Sequence, residues 1–73
     1  MSMENRVAKR WVTARYNKAH NRRVFNSMPK DRWLTLVSVA ELASLSERDA
    51  LVALKNLKRE GYVWEEHGLW QKS

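Results

Sequence analysis

Residues 38–70 read S-V-A-E-L-A-S-L-S-E-R-D-A-L-V-A-L-K-N-L-K-R-E-G-Y-V-W-E-E-H-G-L-W, and each segment of this stretch carries its own structural punctuation. Ser38 followed by Glu41 is the S-x-x-E pattern, in which two side chains cap each other's backbone amides at a helix start, so a helix is expected over 39–45. Ser46 offers a second cap. Glu47 and Asp49 follow in the first turn, where negative charge suits the helix dipole, and Lys55, Lys58 and Arg59 come near the end, where positive charge does. This predicts a second helix over 47–60. Its Ala50, Leu54 and Leu57 form one apolar stripe, and Gly61 stands where a left-handed cap is wanted. Beyond it, Tyr62, Val63 and Trp64 favour strand, 65–68 can turn with Gly68 at positive φ, and Leu69 and Trp70 can return antiparallel.

Helix, helix and hairpin in close succession read as a winged helix-turn-helix. The expected class is α+β: three helices with a small antiparallel β-hairpin wing, which a further strand can extend to three strands. The stretch 38–63, followed by a wing tryptophan, resembles the winged-helix core of small bacterial, phage and plasmid regulators, including MarR-type and fimbrial phase-variation regulators. The resemblance covers about half the chain. It implies that Leu42, Ala43, Ala50, Leu54, Leu57, Gly61 and Val63 are structural, and it speaks to fold more than to function.

At 73 residues the chain is read as one domain, 1–73, with a basic N-terminal helical segment over 1–28 and the helix-turn-helix with its wing over 34–72. A core this small leans on large aromatics, so Trp11, Trp33, Trp64 and Trp70 are read as its staples, with packing kept for Trp33 and Trp64 ahead of Trp70, which lies near the wing. With no cysteine there is no disulfide or thiolate chemistry, and no apolar run is long enough for a membrane span. A cytoplasmic, nucleoid-associated protein without membrane contact is expected.

The net charge of +6 and a pI near 10.2 predict attraction to polyanions. The excess is uneven. Residues 1–32 hold nine basic residues against two acidic ones, 9 − 2 = +7, whereas 33–73 hold five against six, 5 − 6 = −1. The electrostatic anchor is therefore assigned to the N-terminal part. There, 3–20 lack Gly and Pro and carry Val7, Trp11 and Ala14 in helical spacing, predicting a first helix. Arg6, Lys9, Arg10 and Lys18 would lie on its polar face, with Arg15, Arg22 and Arg23 continuing the basic surface as DNA-backbone contacts. Pro29 marks a break, after which 34–37 can form a strand pairing with the wing; alternatively 30–36 is helical.

In a helix-turn-helix the second helix enters the major groove, which aims Ser46, Glu47, Arg48, Val52, Lys55, Asn56 and Arg59 at DNA. Arg48 suits guanine, Asn56 suits adenine or a phosphate, and Val52 suits a thymine methyl. The acidic first turn is equally capping chemistry. In MarR-type helices the two positions after the one matching Ala50 are usually polar and help contact DNA. Here they are Leu51 and Val52, and Ala53 follows, an apolar run that a protein partner would also suit.

The expected function is duplex-DNA binding, sequence-specific or architectural, by a small transcriptional regulator that can act as a homodimer. Two alternatives stay open: a protein-interaction module using Leu51, Val52 and Ala53 to bind another regulator or a polymerase subunit, and RNA binding through the basic first helix. No cofactor, metal or catalytic role is expected. There is no Gly-rich phosphate loop and no nucleophile with a plausible base, and His20 and His67 lack metal-ligand spacing.

Overall fold

The computed structural model describes residues 17–73. Its elements are α1 (Lys18–Ser27), α2 (Leu36–Ala43), α3 (Glu47–Arg59), β1 (Val63–Glu66) and β2 (Leu69–Lys72). The described residues thus form an α+β arrangement of three helices and a two-stranded antiparallel sheet. None of these helices is long and apolar enough to cross a membrane.

Helix α1 begins where Asn17 accepts a hydrogen bond from the His20 amide at 3.0 Å, and it stops at Met28, which is extended as the residue before a proline should be. Most of the helix expected over 3–20 lies outside the described residues. In its described part, 17–20, the expected helix is broken: Asn17 is extended, and a helix starts at Lys18 and runs through Arg22 and Arg23 to Ser27. Asp31 then takes a left-handed φ of 59° and turns the chain.

The start of α2 corrects the sequence reading. Thr35, not Ser38, is the cap: its Oγ1 accepts the Ser38 amide at 3.1 Å and donates to the Ser38 hydroxyl at 3.0 Å. A hydroxyl three residues upstream outcompetes the S-x-x-E pair, so Ser38 sits inside the first turn and the helix spans 36–43 rather than 39–45. The strand reading of the preceding segment holds at a single residue, and the helical reading of 30–36 does not hold. Residues 36 and 37 are helical, 30 and 31 form a turn, and only Leu34 is strand-like, exchanging both backbone hydrogen bonds with Trp70 at 2.8 Å each. Helix α2 ends at a left-handed Ser44, whose neighbour Leu45 donates its amide back to the Ala40 carbonyl at 2.9 Å.

Ser46 caps α3 by accepting the Asp49 amide at 3.1 Å. At the other end Gly61 adopts φ +87°, a conformation in which a side chain would be strained, and Tyr62 donates back to the Leu57 carbonyl at 2.9 Å. The hairpin that follows is tighter than the sequence suggested. Strands pair through Glu66 opposite Leu69, leaving His67 (φ 52°) and Gly68 (φ 80°) as a two-residue turn with both central residues left-handed. Glu65 therefore lies within β1, opposite Trp70, not in the turn.

Helix α3 packs against α1, α2 and β1. The core joins Val24 and Met28 from around α1, Val39 and Ala43 from α2, Ala53, Leu54 and Leu57 from α3, and Leu34, Val63 and Trp70 from the sheet side. The tryptophans reverse their expected roles. Trp70 is buried at 6 % exposure, whereas Trp33 and Trp64 are 42 % and 60 % exposed. Strand alternation explains this: Trp70 is opposite Glu65 on the face that meets α3, and Trp64 is one residue further along on the other face. Leu42, assigned to the core by the resemblance, is half exposed on α2.

Removing Trp70 therefore empties the centre, and Trp70→Ala should lower unfolding stability by about 3–5 kcal/mol. Trp64→Ala should cost less than about 1 kcal/mol, since it vacates solvent-exposed surface. Urea titrations of both variants check this; equal losses would contradict the assigned faces.

Candidate nucleic-acid interface

The sequence makes α3 two-faced. Ala50, Ala53, Leu54 and Leu57 are buried, and their small or unbranched-at-Cβ side chains let the helix seat closely against its neighbours. Arg48, Val52, Lys55 and Arg59 fall on the opposite side at helical spacings of four, three and four, and all four are exposed. Val52 contributes the stripe's apolar contact, at 41 % exposure.

The remaining residues assigned to DNA separate. Ser46 spends its hydroxyl on the helix cap, and Glu47 is exposed in the acidic first turn. Asn56 is withdrawn: at 6 % exposure it lies between Lys55 and Leu57 on the packed side, where no base edge can reach it. The proposed partner surface of Leu51, Val52 and Ala53 is also broken up. Ala53 is in the core and Leu51 packs partly against it, because one turn of helix distributes three consecutive residues over most of its circumference. Of the N-terminal set, Lys18, Arg22 and Arg23 are exposed on α1, whereas Arg6, Lys9, Arg10 and Arg15 lie outside the described residues.

Lys58 lies on the flank of α3, outside the stripe. Its Nζ is 3.2 Å from Glu65 Oε1, an ion pair joining α3 to β1. The other oxygen of the same carboxylate, Oε2, accepts the Gly68 amide at 3.0 Å, so one side chain ties the helix, the strand and the hairpin turn together. That hydrogen bond, followed by the one from Lys58, holds the Glu65 carboxyl below its usual pKa. Sequence reading placed Glu65 and Lys58 on separate elements and found no link, since the reversal at Gly61 that brings them together is a tertiary event. Lys72, half-buried, has its Nζ 4.4 Å from the centre of the Phe25 ring. Arg48, Lys55 and Arg59 are the cations of α3 that make no ion pair among the described residues.

A shallow depression of about 350 Å³ lies beside α2, lined by Pro29, Arg32, Leu34, Ser38, Glu41 and Leu42. With Arg32 and Glu41 both on its wall it has no single charge preference. Among the described residues no group of three or more His, Cys, Asp or Glu is placed to hold a metal ion.

No protein-family model and no curated protein matches the chain. Among solved structures it is similar to one described as PigF with SAH, at 17 % identity and a TM-score of 0.68. The alignment covers 100 % of this chain and 22 % of that one, so this chain spans under a quarter of its neighbour's length. At that identity the likeness speaks to fold alone.

The Glu65 link gives a pH dependence with a definite sign. A carboxyl whose pKa is lowered by folding stabilises the fold above its ordinary value of 4.5, and the contribution fades as pH falls through the lower folded value. Glu65→Gln should flatten the acid limb of the stability curve below about pH 5. Thermal melts of both proteins from pH 7 to pH 3 measure it, and parallel curves would show that the link does not matter.

Proposed function

We propose that this chain is a winged-helix protein that binds duplex DNA, with α2 and α3 as the helix-turn-helix, the β1–β2 hairpin as the wing and α3 as the helix that enters the major groove. A small transcriptional regulator is the role this best fits. The observation that carries the reading is the exposed stripe Arg48, Val52, Lys55 and Arg59, three cations around one apolar side chain on the face of α3 opposite the core. Guanidinium groups can address guanine or phosphate, Lys55 a phosphate, and Val52 a thymine methyl. The exposed Lys18, Arg22 and Arg23 of α1 supply further backbone contacts.

The winged-helix reading is supported by the three-residue connection between α2 and α3, the hairpin directly after α3, and the bridge from Leu34 to Trp70 that takes the place of a third strand. The similarity to PigF with SAH agrees with this order of elements and transfers no ligand. The hairpin is not the phosphate grip. Glu65 is committed to Lys58 and Gly68, Glu66 is exposed, and the turn offers only His67. Burial of Ala53 and partial burial of Leu51 weaken the protein-partner alternative at that run. The RNA alternative depends mainly on residues outside the described range.

Fluorescence anisotropy with mixed-sequence duplex DNA across a salt series tests the function. The slope of log affinity against log salt should correspond to roughly four or more phosphate contacts, at about −0.9 per contact. Arg48→Ala combined with Arg59→Ala should lower the slope by about 2 and weaken binding at every sequence tried. Absence of binding at low salt would overturn the proposal.

A further inference from the structure

We propose that the outer face of the sheet is a self-association surface on which a second copy of this chain packs, with Trp33 of each copy against Trp64 of the other. This does not rest on the DNA reading, which uses a different surface, the exposed side of α3.

The backbone register fixes the face. Leu34 and Trp70 exchange both hydrogen bonds, so one step away Trp33 falls opposite Gln71, and Gln71 is in turn the partner of Trp64. A row Trp33–Gln71–Trp64 thus crosses three chain segments, with neighbouring positions about 5 Å apart. In the adjacent row Leu69 is opposite Glu66 and beside Thr35. The reverse face carries Leu34, Trp70 and Val63, all buried. Two exposed tryptophans in a protein this small are therefore not scattered; they stand in one line, with the exposed Leu69 next to them.

Three features favour a second copy as the occupant. The first is charge. The chain carries +6, so copies repel each other wherever lysine and arginine face outward, yet the two rows contain neither and include one acid, Glu66. The same absence disfavours single-stranded nucleic acid, whose bases can stack on tryptophan but whose phosphates need nearby cations. The second is self-complementarity. The row reads the same from both ends about Gln71, so a two-fold axis there sets Trp33 over Trp64 twice, the isologous arrangement of symmetric dimers. The third is area. The exposed parts of Trp33, Trp64 and Leu69 amount to roughly 300 Å² of apolar surface per copy, against about 800 Å² in all per partner in a standard interface. That suits a reversible, concentration-dependent dimer rather than an obligate one.

Sedimentation velocity on the full chain over a wide concentration range, at low and high salt, tests this. A monomer–dimer shift is expected, and added salt should strengthen it by screening like charges, opposite to its effect on DNA binding. Trp33→Ser and Trp64→Ser should each weaken association about tenfold or more with far-UV circular dichroism unchanged. An equal mixture of the two should regain association, because the mixed dimer keeps one intact Trp33–Trp64 contact. Leu69→Lys, which places a charge in the middle of the face, should leave a monomer. A protein that stays monomeric at the highest concentration, association indifferent to all three substitutions, or no recovery on mixing would overturn the proposal. So would a monomer whose tryptophan emission is quenched by single-stranded oligothymidine. Failure of DNA binding and failure of dimerisation are distinguishable, since the two readouts respond oppositely to salt.

Discussion

The pair of backbone hydrogen bonds between Leu34 and Trp70 is the constraint on which the other assignments depend. It joins the segment before α2 to the strand that closes the hairpin, the two ends of the helix-turn-helix region, and it does so with the Trp70 ring in the core. Once Trp70 points inward, alternation turns Leu69 and Gln71 outward, and register then places Trp64 and Trp33 on the outer face with them. The early start of α2 follows as well. With Leu34 held in the bridge and Thr35 still extended, Leu36 is the first residue to turn helical, and the Thr35 hydroxyl is placed to cap that turn.

Helix α3 divides the remaining work between two faces. Its inner face seats on every other element it meets, through residues mostly no larger than leucine, and tolerates a buried amide at Asn56 opposite a core that also encloses Asn21 of α1. Its outer face keeps three cations in solvent. A fourth, Lys58, stands on the flank of the helix, still exposed, and pairs with Glu65. One oxygen of that carboxylate meets α3 and the other accepts the Gly68 amide, so a single side chain links the helix to the hairpin turn.

Much of this was legible in the residue order. The caps at Ser46 and Gly61, the stripe of Ala50, Leu54 and Leu57, and the hairpin after Tyr62 are written in short-range patterns whose physics is local: a hydroxyl near free amides, a residue without Cβ at positive φ, apolar spacing at the helical period. The misplacements have equally physical causes. Thr35 and Ser38 are both competent caps, and the bridge at Leu34 selects between them. Asn56 carries a side chain suited to adenine, but it is buried at the edge of the packed face, three residues on from the buried Ala53. Three consecutive apolar residues at 51–53 look like a surface patch in sequence and are spread around a helix in space.

The α+β class, the order of helix, helix and hairpin, and the concentration of positive charge toward the first 32 residues could be read from residue order, because each follows from contacts or counts within a few turns of chain. Long-range packing sorted the described tryptophans into core and surface, paired Lys58 rather than Lys55 with a carboxylate among the described residues, and set which face of the sheet meets the core. Those outcomes hinge on long-range pairing, Leu34 with Trp70 and Lys58 with Glu65, and a pairing partner across a chain reversal leaves no periodic trace in the residues that find it.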